Sequence, residues 1–130
     1  MIDHAIYSIL SSNSGVSTLV GTKIYPFELP QRVSYPAIIY QRISTTDRIV
    51  YHGGVCKFAR SMFQITAIDD DILGAKTLAE KIRLALHGYT GTVSTIKIFL
   101  AQVLNEFDLF VKEVEDYQVS MDFEITHTEA

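Results

Sequence analysis

Residues 117–127, YQVSMDFEITH, alternate apolar and polar side chains more regularly than any other stretch of this chain. The apolar side chains at every second position are Tyr117, Val119, Met121, Phe123 and Ile125. Because successive side chains of a strand point to opposite faces, this period of two predicts a β-strand. One face of the strand then packs on a core, and the other meets water or a polar partner.

Three earlier stretches also have the composition of strands. Residues 37–44 are rich in Ile and Tyr, and Pro36 biases the residue before it away from helix. Residues 60–68 place apolar side chains at every second position, namely Phe63, Ile65 and Ala67. Residues 93–103 predict a long apolar strand, and one of its faces carries Ile96, Ile98 and Leu100.

Residues 2–12 and 71–87 have the spacing of amphipathic helices. The first helix carries apolar residues at helical intervals, namely Ile2, Ala5, Ile6, Ile9 and Leu10. The second helix carries one apolar face, formed by Ile72, Ala75, Ala79, Ile82 and Leu86. Residues 69–71, three aspartates, predict an N-cap and an acidic first turn, and Gly88 predicts a C-terminal cap.

Between these elements lie a short apolar stretch over 16–20 and an irregular connection over 22–34, which contains two prolines. The order helix, strand, strand, helix, strand, strand predicts an α+β fold. We expect a four-stranded, mainly antiparallel sheet with the helices packed on one face. No linker, repeat or low-complexity tract interrupts the chain, which predicts a single domain over 1–130.

The bulk composition favours a protein with a partner surface. Charged residues make up 20% of the chain and the mean hydropathy is +0.18, so some apolar side chains are expected to stay outside the core. The net charge of −4 argues against a protein that grips nucleic-acid phosphates. A single cysteine, Cys56, excludes an intrachain disulfide. Residues 1–4 resemble a mature cytosolic start, and no apolar stretch reaches the roughly 18 residues of a membrane span, so we expect a soluble cytoplasmic product.

No motif in the chain predicts catalysis. His52 and Cys56 form one possible pair of metal ligands, but a structural zinc site needs four, so we expect no metal site. Neither a nucleophile elbow nor a phosphate-binding glycine loop can be written anywhere in the sequence. These observations predict a non-enzymatic protein without a cofactor. An enzyme whose site is assembled from unremarkable residues remains an open alternative.

Residues 45–58, TTDRIVYHGGVCKF, separate two of the predicted strands and form a hairpin with Gly53 and Gly54 at its tip. The hairpin is more apolar than a loop that meets only water, which predicts an interface to a neighbouring subunit. The expected contact residues are Arg48, Ile49, Val50, Tyr51, His52, Val55 and Phe58. Residues 105–111 mix apolar and charged side chains in the same manner, at another strand connection. There the expected contact residues are Phe107, Leu109 and Phe110. Two such appendages favour a head-to-tail contact that closes into a ring.

The chain resembles the tail-completion family of long-tailed bacteriophages, whose members are also called tail terminators or tail-to-head joining proteins. The resemblance covers nearly the whole chain in order. It rests on a short first helix, a glycine-bearing hairpin and these stretches: SGVSTLVGTKIYP at 14–26, YPAIIYQRIS at 35–44, ARSMFQITAI at 59–68, LGAKTLAEKIRLAL at 73–86 and DYQVSMDFEI at 116–125.

This resemblance implies a virion protein that assembles with itself into a six-membered ring. Such a ring caps the tail tube, fixes the tail length and joins the head connector or stopper protein. DNA passes through its lumen without specific binding, and no membrane, cofactor or active-site residue is implied. The implied location is the head–tail interface of a virion, after synthesis in the bacterial host cytoplasm. The alternative that the residues leave open is a small-molecule- or protein-binding α+β module without catalysis.

Overall fold

The computed structural model describes residues 2–30, 34–50, 57–93, 95–112 and 115–128, without the side chains of residues 47–50 and 57. These residues form three helices and one six-stranded sheet. The elements are α1 (Ile2–Ser12), α2 (Ser14–Val20), β1 (Ile24–Pro26), β2 (Ala37–Val50), β3 (Lys57–Asp69), α3 (Ile72–Leu86), β4 (Gly91–Val93), β5 (Ile96–Val111) and β6 (Asp116–Thr128). The predicted α+β class is confirmed.

The prediction of a four-stranded sheet is wrong, because the sheet has the order β1-β2-β3-β6-β5-β4. The four central strands are the predicted ones and pair antiparallel. The two additional strands lie at the edges: β1 pairs parallel with β2, and β4 pairs antiparallel with β5. Each has three residues, too few to show a readable alternation, and the proline that ends β1 is tolerated at a sheet edge.

The predicted apolar faces form one core between the helices and the sheet. All five predicted apolar residues of α1 are buried, as are four of the five in α3, where Leu78 joins them and Ile72 is half-buried. The alternation in β6 is confirmed, with its inner apolar side chains buried and Tyr117 half-buried. No helix in the described part of the chain is long and apolar enough to cross a membrane.

The predicted face of β5 is wrong at Leu100, which is 41% exposed while Ala101 is buried. The pairing of β5 with β6 shifts register between Ile98 and Leu100. This β-bulge inserts one residue, so the alternation reverses and the next inward position falls on Ala101. The predicted boundaries of this strand, 93–103, are also wrong, since β4 ends at Val93 and β5 then runs from Ile96 to Val111.

The junction between β3 and α3 differs in detail from its prediction. Asp71 is the N-cap residue, but its side chain makes no capping hydrogen bond. Instead the backbone N–H of Asp70 donates to Asp69 Oδ1 at 2.7 Å. Burial, with the neighbouring Asp70, raises the pKa of the Asp69 carboxyl. Gly88 has the positive φ expected of it, 79°, but the C-cap residue is His87, and the N–H of Gly88 donates to the carbonyl oxygen of Ala101 on β5.

Gly74 leaves room for the Asp69 carboxylate, which occupies the space that a Cβ at position 74 would fill. A Gly→Ala change inside a helix ordinarily stabilises by up to about 1 kcal/mol. We expect Gly74→Ala to give clearly less, because Asp69 must rotate away and lose its hydrogen bond to Asp70. The same change in an Asp69→Ala background should give the full gain. Urea unfolding of the wild type, the two single variants and the double variant measures the coupling between positions 69 and 74. An equal change in the free energy of unfolding from Gly74→Ala in both backgrounds would contradict the prediction.

Candidate assembly interface

The predicted hairpin continues two strands of the sheet. β2 and β3 stay paired beyond the core, with Ile49 opposite Phe58 and Val50 opposite Lys57. Tyr51, His52 and Val55, with Cys56, lie outside the described residues. Arg48, Ile49 and Val50 are described by their backbone alone, so their role at an interface remains a prediction.

Phe58, at the base of the hairpin, is half-buried in an aromatic contact. Its ring centroid lies 5.3 Å from that of Phe99, with the planes at 60°. The ammonium of Lys97 lies 5.3 Å from the Phe99 ring centroid, within cation–π distance. The base of the hairpin is therefore held to β5 by side-chain packing across the end of β6.

The interpretation of residues 105–111 as an appendage is wrong, because they form the second half of β5. They pair with β6 from Asn105 opposite Asp122 to Val111 opposite Asp116. Acidic and apolar residues alternate in this segment, so its mixed character reflects the two faces of a strand. That period of two was the available signal, and a second register shift between Val103 and Asn105 separates it from the first half of the strand.

Three apolar side chains of β5, Leu100, Phe107 and Leu109, lie on the sheet face opposite the helices and are called the β5 strip. Gln102 and Asn105 lie between Leu100 and the other two on that face. Their β6 partners are polar residues that alternate with the buried core residues of that strand. Leu109 is 47% exposed and Phe107 is half-buried. Phe110 lies on the other face, 52% exposed, with its ring centroid 4.8 Å from that of Tyr117. The β5 strip includes Leu100, which the sequence pattern had assigned to the core.

Both sides of the sheet leave a long stretch of strand edge without a partner strand among the described residues. On one side, β1 pairs with β2 only over Ile38–Tyr40. On the other side, β4 pairs with β5 over Ile96–Ile98, and Ala101 and Val103 bond to residues 87–89. The open stretches are 42–50 and 104–111. Unpaired strand edges are ready-made surfaces for pairing with another chain.

A groove separates α3 from the open part of β5. It contains two adjoining cavities of about 180 and 230 Å³, both lined by Arg83 and Glu106. Lys76 Nζ lies 2.9 Å from Asp108 Oδ2 in the first cavity. The second cavity is bounded on the strand side by residues 103–106. The groove is shallow and lies at the edge of the sheet.

One buried hydroxyl–imidazole pair has the distances of a catalytic dyad. Ser61 Oγ lies 2.7 Å from His127 Nε2 and 3.0 Å from Thr45 Oγ1. The Nδ1 atom of His127 is 2.8 Å from the carbonyl oxygen of Thr128, so Nδ1 carries the hydrogen and, in the neutral ring, Nε2 accepts from Ser61. Both side chains are buried, at 0% and 1% exposure. Because no substrate can reach Ser61 there, we interpret the pair as part of the core.

A second polar contact ties the segment before β2 to the start of β6. The Tyr35 hydroxyl donates to Asp116 Oδ2 at 3.1 Å, and Asp116 is 3% exposed. Burial and this hydrogen bond raise the pKa of Tyr35. Among the described residues no three His, Cys, Asp or Glu side chains are placed to hold a metal ion. The predicted His52–Cys56 pair lies outside those residues.

The family model described as "Tail completion protein gp17" matches residues 4–128. No curated protein sequence matches the chain. A chain in the solved virion of a native gene transfer agent particle has a similar fold, with a TM-score of 0.73. The match covers 95% of this chain and 92% of that chain at 19% identity, so it shows the fold alone. Since the family model spans nearly the whole sequence, the chain belongs to the tail completion protein gp17 family.

Proposed function

We propose that this chain closes the bacteriophage tail as a ring of identical subunits that caps the tail tube and joins it to the head connector or stopper protein. The observation that carries the proposal is the family match over residues 4–128, which makes the chain a structural tail protein. Its role is to bind other virion proteins and not to catalyse a reaction. The site of action is the head–tail joint of the virion, after synthesis in the host cytoplasm.

The two sheet edges support a ring. The open stretch of β2 and the open stretch of β5 differ in sequence and lie on opposite sides of the molecule. Two different surfaces on opposite sides favour a head-to-tail contact, and such contacts close into rings when the rotation between copies permits it. The β5 strip adds partly exposed apolar surface on this strand, and the apolar sequence of the hairpin is expected to add more. We propose six copies in the ring.

The charge of the chain is compatible with DNA passing through the lumen without specific binding. The net charge is −4, and the sheet face opposite the helices carries Asp122 and Glu124. Arg60 lies on the same face, with its Nε atom 3.7 Å from Glu124 Oε1. This ion pair balances part of the negative charge of the face within the chain. A surface of this kind has little attraction for phosphates.

The hairpin is expected to contribute to assembly. Replacing Ile49 and Tyr51 together with serine should leave the subunit folded but lower the yield of infectious particles, because two apolar contacts are lost. Circular dichroism measures folding, and complementation of a phage that lacks the gene measures assembly. Leu73→Ser with Leu84→Ser is the matched control, since both leucines are exposed on α3, at 71% and 65%. Loss of folding in the hairpin variant would place Ile49 and Tyr51 in the core.

The function itself is tested by electron microscopy of a lysate from a phage with an early stop codon in this gene. We expect DNA-filled heads beside detached tails, with some tails of abnormal length. Resupplying the chain from a plasmid should restore joined particles. Intact, infectious virions without the protein would contradict the proposal and would favour the binding-module alternative.

A further inference from the structure

We propose that Phe27 of each copy inserts into the α3/β5 groove of the next copy, so that these two features form one contact between subunits. This inference rests on the proposed ring and specifies how its neighbouring subunits meet. The occupant of the groove is therefore a second copy of this chain.

Phe27 is an aromatic side chain that the fold holds in solvent. It follows the last residue of β1, its N–H donates to the carbonyl oxygen of Tyr40 at 3.0 Å, and its side chain is 66% exposed. Its φ is 66°, a region that bulky residues rarely adopt. The hydrogen bond to β2 fixes the position of this residue at one edge of the sheet. The ring has no place in the core of its own subunit.

The groove on the opposite edge has room for a phenyl ring and a partly apolar lining. Its larger cavity, about 230 Å³, is lined by Val103, Leu104 and Asn105 on the strand, with Arg83 and Glu106. Leu104 is 50% exposed there. The cavity is open to solvent, and its volume exceeds the roughly 150 Å³ that accommodates benzene, so a phenyl ring has room to lie in it.

Phe27 and the groove lie at the same height on the sheet. Phe27 bonds to Tyr40, and the next residue of β2, Gln41, is in register with Gln64, Asp122 and Asn105 across the three following strands. Asn105 lines the groove. Copies standing side by side in a ring, with the β1 edge of one against the β5 edge of the next, therefore bring Phe27 to the groove without a vertical shift.

The charges beside the two features are complementary. Glu28 follows Phe27 and is exposed, and Arg83 lines the helix side of the groove. Within the described residues neither side chain has an ion-pair partner in its own chain. A guanidinium also stacks favourably on an aromatic ring. Glu80 and Glu106 also line the groove, and Lys76 there is paired with Asp108, so Arg83 is the positive group that Glu28 would meet.

Site-specific photo-crosslinking tests the contact. In one variant of the full chain p-benzoylphenylalanine replaces Phe27, and in the control it replaces Leu73, another highly exposed apolar residue. After irradiation at rising protein concentration, we expect a crosslinked dimer from position 27 whose joined peptide contains residues 103–106. No dimer above that of the Leu73 control, or a crosslink mapped elsewhere, would overturn the inference.

Charge reversal gives a second and independent readout. Glu28→Arg and Arg83→Glu should each lower particle yield in the complementation assay, and the double variant should recover most of the loss. Failure of the double variant to recover, with both single variants folded by circular dichroism, counts against the contact. Electron microscopy of the stop-codon lysate tests the tail function separately. Detached tails in that lysate together with a negative crosslinking result would reject only the Phe27 contact.

Discussion

Phe123→Ala is expected to lower the free energy of unfolding by about 3–5 kcal/mol. Phe123 is fully buried in the middle of β6, directly opposite Phe63 on β3 and Val103 on β5. Truncation removes most of an apolar side chain and leaves a cavity between three strands and the helices. Because domains are stable by only about 5–15 kcal/mol, this one change removes a large part of the total.

Urea unfolding followed by circular dichroism measures the loss. Phe110→Ala is the matched control, since the same atoms are removed from a side chain that is half exposed on the neighbouring strand. We expect the control to cost well under half as much, because little apolar surface returns to water. Similar losses in the two variants would mean that Phe123 is not at the centre of the core.

Ser61→Ala is expected to lower the free energy of unfolding by about 1–3 kcal/mol. The hydroxyl of Ser61 on β3 forms hydrogen bonds with His127 on β6 and with Thr45 on β2. It therefore joins β3 to both of its neighbouring strands. Its removal leaves the buried Nε2 of His127 without this partner. A buried acceptor that loses a hydrogen bond cannot readily replace it with water, so the loss has a cost of this size.

Ser44→Ala is the control for this prediction, because Ser44 is an exposed serine on the adjacent strand. We expect its effect to stay within about 0.5 kcal/mol. Replacing Ser61 with alanine and His127 with leucine together should cost less than the two single changes added, since both polar partners are then gone. An additive result, or a Ser61 variant as stable as the wild type, would show that the pair is not coupled.

Local patterns in the sequence determined the fold class and the faces that form the core. Each apolar residue predicted for α1 is buried, and β6 has the alternation that its residues indicate. These outcomes depend only on the periods of a helix and a strand, which the chain displays without reference to the rest of the molecule. The resemblance to tail-completion proteins also followed from the order of such elements, and the family match bears it out.

The candidate interface was predictable only in part. Leu109 and Phe110 are exposed, but their segment is a strand and not a connection, and their role at an interface stays a prediction. The hairpin residues 48–55 remain a prediction. Phe27 gave no signal in the sequence, because a single aromatic residue between a proline and a glutamate is compatible with either burial or exposure.

The tertiary structure alone decided which edges are open, where the alternation of β5 reverses, and how the groove aligns with Phe27. The bulge beside Leu100 reverses the faces of the residues that follow it as far as the second register shift after Val103, although it alters no local composition. The short strands β1 and β4 exist because a longer strand already provides hydrogen-bonding groups beside them. Periodicity therefore determined which side chains are buried in this protein, whereas pairing between distant strands decided which strand edges and side chains stay exposed.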